Sequence, residues 1–110
     1  MDIIEQLTRV LESRRGADPA DSYVASLYAR GLNKILQKIG EEATEVILAA
    51  KDHGQPGTDA DALAGEVADL WFHCLVMLVH LEQPPERVLE KLVARFGVSG
   101  HDEKRSRGQP

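Results

Sequence analysis

The chain has 110 residues, a net charge of −5 and a composition that is 43% hydrophobic but only 5% aromatic. This length suits one domain, spanning residues 1–110, and is too short for two. The negative charge disfavours non-specific nucleic-acid binding, and the single cysteine, Cys74, excludes both an intrachain disulfide and a cysteine-based zinc site.

Apolar residues recur at helical spacing along five segments, and no strand pattern is convincing. The predicted bounds, in chain order, are approximately Ile3–Arg15, Pro19–Arg30, Leu32–His53, Asp59–Glu82 and Pro85–Phe96. Gly31 is predicted as a hinge or C-cap between the second and third helices. Residues from about 97 to 110 are polar and are predicted to form a tail. We therefore expect an all-α fold, an antiparallel bundle of about five helices assembled with a second subunit.

The fourth helix has a stripe of apolar residues at alternating steps of four and three, as in a heptad seam. The stripe consists of Leu63, Val67, Leu70, Cys74, Met77 and Leu81. The longest apolar run, residues 70–81, is interrupted by two histidines and is too short to span a bilayer. The N-terminus lacks the pattern of a signal peptide. These features predict a cytoplasmic protein without a membrane partner.

Two groups of acids lie within these otherwise apolar helices. Glu41, Glu42 and Glu45 belong to the third helix, and Glu66 and Asp69 belong to the fourth. Residues three or four apart share one face of a helix, and the short loop between the two helices makes them antiparallel neighbours. The two groups are therefore expected to face each other, although either group alone is typical of an ordinary solvated surface.

Opposed carboxylates on apolar helices are unfavourable unless a cation neutralises them. Magnesium, with manganese as an alternative, takes oxygen ligands and leaves open positions for water and phosphate. Zinc suits this site less well, because no histidine pair lies at ligand spacing among the acids. The acid pattern thus predicts a site for a hard divalent cation.

Basic residues near the acids have two possible roles. Lys34 and Lys38 are placed either to pair with glutamates one turn away or to hold phosphate oxygens beside the metal. A second basic group in the tail is either solvated or a flap over the phosphates; it comprises Lys104, Arg105 and Arg107. His73 could hydrogen-bond Asp69 from the next turn. Trp71 is expected in the core or at a subunit contact.

The order E-E-x-x-E followed by E-x-x-D resembles the motif of the MazG-type all-α nucleoside triphosphate pyrophosphohydrolases. Residues 22–51, SYVASLYARGLNKILQKIGEEATEVILAAK, are similar to the central segment of the phosphoribosyl-ATP pyrophosphohydrolase family, the second enzyme of histidine biosynthesis. Residues 66–78, EVADLWFHCLVML, and 95–107, RFGVSGHDEKRSR, resemble its later segments. The resemblance covers about residues 4–107.

This resemblance implies magnesium-dependent cleavage of phosphoribosyl-ATP to phosphoribosyl-AMP and pyrophosphate. Carried over by position, it implies four metal ligands, namely Glu42, Glu45, Glu66 and Asp69. It makes Glu41 a further ligand or the residue that orients the attacking water. It also implies a homo-oligomer, a dimer or a dimer of dimers.

Two other functions remain open at this point. A house-cleaning pyrophosphatase acting on dUTP, dCTP or damaged nucleotides would share the fold and the acids. A non-catalytic helical interaction module would share the fold alone. The context of the acids and the tail favours the histidine-pathway enzyme over the first alternative, and magnesium-dependent turnover would exclude the second.

Overall fold

A computed structural model describes residues 2–97, which form five α-helices and no strand. The helices are α1 (Ile3–Ser13), α2 (Tyr23–Arg30), α3 (Leu32–Asp52), α4 (Ala62–His80) and α5 (Glu86–Phe96). The prediction of an all-α fold with five helices is confirmed for this part of the chain. The tail beyond residue 97, including its predicted basic group, lies outside the described residues.

Side-chain caps determine where the first two helices begin. Asp2 accepts a hydrogen bond from the backbone N–H of Glu5 at 2.8 Å, which caps α1. Ser22 accepts one from the N–H of Ala25 at 3.1 Å and caps α2. Helix α2 therefore starts at Tyr23 and not near Pro19 as predicted, because a serine cap satisfies the free N–H groups of the first turn there.

Gly31 separates α2 from α3 and allows the chain to change direction within one residue. Its φ of 92° lies in the region that glycine adopts without steric strain. Its N–H donates to the carbonyl of Leu27, and its own carbonyl accepts from Ile35. The predicted hinge is thus confirmed, and it folds α2 back against the α3–α4 pair.

The core lies where α1 to α4 meet. Its largest fully buried side chains are Leu11, Leu27, Ile35 and Val76, one from each of these four helices. Helix α4 packs chiefly against α3, and also against α1. Glu42 of α3 lies beside Glu66 and Asp69 of α4, as expected for an antiparallel hairpin. The predicted antiparallel neighbours are therefore found.

The face of α4 that is buried differs from the predicted seam. The buried residues are His73, Leu75, Val76 and Val79, whereas the predicted stripe is only partly covered and Leu81 is 45% exposed. Helix α4 is apolar on almost every side, so spacing alone selects no face. The contact with α1, α2 and α3 selects it instead.

Among residues 2–97, only α4 has the length and composition of a membrane span, with a mean hydropathy of 1.6. One such helix is weak evidence for a membrane span, because core helices of soluble proteins share this property. The absence of a membrane partner stays a prediction.

Helix α5 contributes no buried residue to the described chain. Its apolar side chains remain 40–67% exposed; they are Val88, Leu89, Leu92, Val93 and Phe96. Between α5 and α4 runs an apolar groove of about 360 Å³, whose lining includes Trp71 and Leu89. An amphipathic helix with an uncovered apolar stripe indicates a surface that the single chain does not complete.

Candidate active site

Three of the five predicted acids meet at the α3–α4 contact. One carboxylate oxygen from each of Glu42, Glu66 and Asp69 lies within 4.8 Å of the other two. Glu42 comes from the middle of α3, and Glu66 and Asp69 are adjacent on one face of α4 because they are three residues apart. We call these three residues the acid triad. Three oxygen donors at this separation match the donor chemistry of a hard divalent cation.

The charges of the acid triad act on one another. Partial burial raises the pKa of Glu66 above its ordinary value, and the neighbouring negative charges of Glu45, Asp69 and Glu42 raise it further. At neutral pH such a carboxylate is still charged, although its surroundings make the charged form less favourable than it would be in water. A bound cation would remove that strain, so the electrostatics as well as the donor atoms fit a metal.

Glu41 lies outside the acid triad, although it was predicted to belong to the site. Its carboxylate accepts from Lys38 Nζ at 3.2 Å and from Gln37 Nε2 at 3.0 Å. The hydrogen bond from Lys38 has the largest effect in lowering the pKa of Glu41, and the one from Gln37 lowers it further. Glu41 is thus neutralised by its own helix and does not share the electrostatic stress of Glu66. Its assignment as a ligand or water-orienting group stays a prediction.

Glu45 lies outside the acid triad but acts on it electrostatically. It is exposed and is not one of the three residues whose oxygens converge, but its charge is the largest of the carboxylate contributions to the raised pKa of Glu66. Glu45 therefore lies in the electrostatic neighbourhood of the acid triad. Its predicted role as a metal ligand stays a prediction.

The two lysines predicted to bind substrate lie near the acids. Lys38 Nζ lies 3.8 Å from Glu42 Oε1 in addition to its contact with Glu41, so it links the acid triad to the outer glutamate. Lys34 is partly buried, and its charge contributes to the lowered pKa of Glu41. Both lysines provide positive charge beside the acids, and their contact with phosphate stays a prediction.

The second basic group predicted to bind substrate falls in the tail. Its members lie outside the described residues; they are Lys104, Arg105 and Arg107.

Trp71 lies on the other side of α4. It follows Asp69 by two residues, which turns it about 200° around the helix, and its side chain is 64% exposed. It is not a core residue of the described chain, and the predicted subunit contact stays a prediction.

Sequence reasoning missed Tyr23, the first residue of α2. Its hydroxyl lies 2.8 Å from Nε2 of His73, and Nδ1 of the same ring lies 2.7 Å from the backbone carbonyl oxygen of Asp69. His73 therefore contacts Asp69 as expected, but through its backbone. Tyr23 and His73 are 50 residues apart in the chain, and no local spacing links them.

The electrostatics also place Tyr23 at the site. Burial raises the pKa of its hydroxyl, the charge of Lys38 lowers it, and the carboxylates of Glu42, Glu41 and Asp69 raise it further. Each of these charges belongs to the candidate site. Helix α2 thus brings an aromatic hydroxyl to His73, one turn along α4 from Asp69.

A model of one protein family, described as phosphoribosyl-ATP pyrophosphohydrolase, matches residues 4–96. The chain belongs to this family. The match includes α3, α4 and every residue of the acid triad. The phosphoribosyl-ATP pyrophosphohydrolase family comprises phosphoribosyl-ATP diphosphatases, which are hydrolases of histidine biosynthesis.

Family membership gives the acid triad a chemical context. The family acts on a nucleotide, phosphoribosyl-ATP, and the groups described above are carboxylates with Lys38 in contact with Glu42. The resemblance read from residues 22–51 and 66–78 is therefore confirmed by an independent comparison.

Proposed function

We propose that this chain hydrolyses phosphoribosyl-ATP to phosphoribosyl-AMP and pyrophosphate with Mg²⁺ held by Glu42, Glu66 and Asp69. The observation that supports this proposal is the convergence of their three carboxylates within 4.8 Å. Mn²⁺, which prefers the same oxygen donors, is expected to substitute. Glu45 is our candidate for a fourth ligand, because its charge already acts on Glu66.

The metal would neutralise phosphate charge and polarise a phosphoryl oxygen when bound at the acid triad. The protein itself supplies the remaining functions. Lys38 and Lys34 place positive charge beside the acids, where they are positioned to attract the triphosphate. Glu41 is a weak proton acceptor, because Lys38 and Gln37 lower its pKa.

The decisive experiment measures pyrophosphate release from phosphoribosyl-ATP with Mg²⁺, with Mn²⁺ and with EDTA. Wild-type protein is expected to turn over with either metal and to stop in EDTA. Glu66→Gln is expected to lose about 100-fold or more in kcat/KM, since it removes a charge from the metal site. Glu12→Gln serves as the control, because Glu12 is an exposed acid of α1 and should leave turnover unchanged.

A panel of nucleotides tests the substrate. Strong release from dUTP, dCTP or modified deoxynucleotides without release from phosphoribosyl-ATP would replace this proposal with a house-cleaning pyrophosphatase. Turnover of phosphoribosyl-ATP that survives EDTA would remove the metal from the proposal and leave the family activity in place. The absence of all turnover would favour the non-catalytic interaction module.

We also propose that the chain functions as a homo-oligomer, with a dimer as its basic unit. Two apolar grooves, of about 530 and 360 Å³, adjoin each other on the outer side of α4 and share Trp71. Together with the uncovered stripe of α5 they form one continuous surface, which we call the α4–α5 face. A second copy would cover it with a matching apolar surface, as is usual for a two-fold interface.

A further inference from the structure

Helix α3 carries three lysines, and two of them lie on the side of its acids. Lys34 and Lys38 precede the acids along the helix. Lys51 follows Glu42 by nine residues, which turns it about 180° around the helix from that carboxylate. Residues 43–50 contain no lysine or arginine. A substrate anion that extends from the acid triad along α3 therefore meets positive charge only toward the first turns of this helix.

The two lysines beside the acids differ in what they contact. Lys38 Nζ lies 3.2 Å from Glu41 Oε2 and 3.8 Å from Glu42 Oε1, so its charge is already shared by two carboxylates. Lys34 is partly buried, yet it makes no hydrogen bond or ion pair with any other residue from 2 to 97. The pKa of Glu41 is lowered chiefly by Lys38 and Gln37, and the charge of Lys34 lowers it further. Lys34 is thus a cation that faces the site and has no contact partner, which suits it to bind an anion from outside the protein.

The substrate of the family has two anionic ends. Phosphoribosyl-ATP carries its triphosphate on one ribose and a further phosphate on the second ribose, which is attached to the base, whereas ATP has the triphosphate alone. Lys34 lies eight residues before Glu42, which is about 12 Å along the helix axis. That distance is comparable with the span of an adenine ring between two riboses. A nucleotide whose triphosphate lies at the acid triad therefore brings its other phosphate within reach of Lys34.

We propose that Lys34 binds the phosphate of the phosphoribosyl group and is thereby the residue that distinguishes phosphoribosyl-ATP from ATP. The inference rests on the proposed function, because it takes the triphosphate to lie at the acid triad. It deepens that function by dividing the two lysines. Lys38 stays with the acids and the triphosphate, whereas Lys34 contacts the second phosphate and acts on the triphosphate only through its long-range charge. An ammonium suits this role because a hydrogen bond between two charged groups is stronger than one between neutral groups.

The test compares Lys34→Gln with Lys51→Gln in the purified full chain, since each variant removes one lysine of α3 at a similar axial distance from Glu42. Pyrophosphate release with Mg²⁺ gives kcat and KM for phosphoribosyl-ATP, and competition by ATP gives the inhibition constant of ATP. Lys34→Gln is expected to raise KM about 10–100-fold with little change in kcat, while the inhibition constant of ATP stays within about twofold. Lys34→Arg should recover most of the lost affinity, because it keeps the charge. Lys51→Gln should match the wild type in all three quantities.

The comparison of the two ligands separates the second phosphate from the triphosphate. An equal loss of affinity for phosphoribosyl-ATP and ATP in Lys34→Gln would place Lys34 on the triphosphate and overturn the inference. An equal rise of KM in Lys51→Gln would reduce the effect to net charge and overturn it as well. A wild type on which ATP does not compete would show that the triphosphate is no independent anchor, which also overturns it.

The melting temperature in EDTA separates binding from a structural role. Lys34 contacts no group that its loss would leave unpaired, so Lys34→Gln should melt close to the wild type. A wild type that releases no pyrophosphate from phosphoribosyl-ATP would overturn the proposed function itself. A wild type that turns this substrate over, together with a Lys34→Gln variant of equal KM, would overturn the inference alone.

Discussion

At the scale of single residues, acids of identical type have opposite electrostatic roles. Glu66 faces other carboxylates, which together with partial burial raise its pKa. Glu41, one turn from Lys38 and Gln37, accepts a hydrogen bond from each and has a lowered pKa. The sequence motif treats both as members of one group. Only the direction of each side chain distinguishes a strained acid from a paired one.

This contrast predicts opposite effects of two Glu→Gln substitutions on stability without metal. The pKa of Glu66 in the folded protein is raised above its ordinary value of 4.5. The charged carboxylate therefore destabilises the fold, and this destabilisation is absent below pH 4.5 and develops as the pH rises through the raised pKa. Glu66→Gln should therefore melt at a higher temperature than wild type at pH 7 in EDTA, and the difference should shrink toward pH 4. Calorimetric melting across this pH range measures it.

Glu41→Gln serves as the matched control with the opposite sign. The pKa of Glu41 is lowered, so its favourable pairing is present above pH 4.5 and is lost as pH falls through the lowered value. Glu41→Gln should melt slightly below wild type at pH 7. A Glu66→Gln variant that melts below wild type at pH 7 would contradict the electrostatic account of the acid triad.

At the scale of elements, α3 buries far less than its apolar pattern suggests. Ile35 is fully buried in the core, whereas Ile47, three turns further along, is 61% exposed. The reason is that the neighbours of α3 in the described chain are chiefly α4 and, to a smaller extent, α2, so part of its apolar surface has no helix packed on it. A helix with apolar spacing throughout is thus a core element at one end and a surface element at the other.

Two identical truncations on α3 test this difference. Ile35→Ala should lower the free energy of unfolding by about 2–4 kcal/mol, because it leaves a cavity in the core. Ile47→Ala should change it by about 0.5 kcal/mol or less in dilute protein. Urea unfolding at low protein concentration measures both. A larger loss for Ile47→Ala than for Ile35→Ala would show that the core lies elsewhere.

At the scale of the whole molecule, two apolar grooves and the exposed apolar stripe of α5 adjoin one another on the α4–α5 face. Trp71 lies at its centre, where the two grooves meet. The acid triad is on the opposite side of α4, so a second copy bound to this face would leave the acids accessible to substrate. The proposed association surface and the proposed metal site therefore lie on two different sides of one helix.

This arrangement predicts that Trp71→Glu prevents self-association. A buried charge at the centre of an apolar interface is strongly unfavourable. Sedimentation velocity should show the wild type as a dimer or larger species and Trp71→Glu as a monomer. Val10→Glu is the control, since Val10 is a 45%-exposed apolar residue of α1 that lines neither groove. A wild type that remains monomeric at high concentration would contradict the proposal.

The helical class and the hinge at Gly31 follow from sequence because they depend on local chemistry. Periodic apolar residues, a glycine with positive φ, and a proline-bounded last helix each act within a few neighbouring residues. The opposition of Glu42 to Glu66 and Asp69 also follows, because a short loop leaves two long helices little choice but to pack antiparallel. Family resemblance in residues 22–51 and 66–78 indicated the activity for the same reason, since the motif is local.

What the sequence by itself determined was therefore the five helices, the facing acids and the family. The tertiary structure alone decided which side of the largely apolar α4 is buried, which three of the five acids converge, and that Tyr23 reaches His73. Each of these depends on contacts between residues far apart in the chain. Such contacts are set by how helices dock, which local propensity and spacing do not specify.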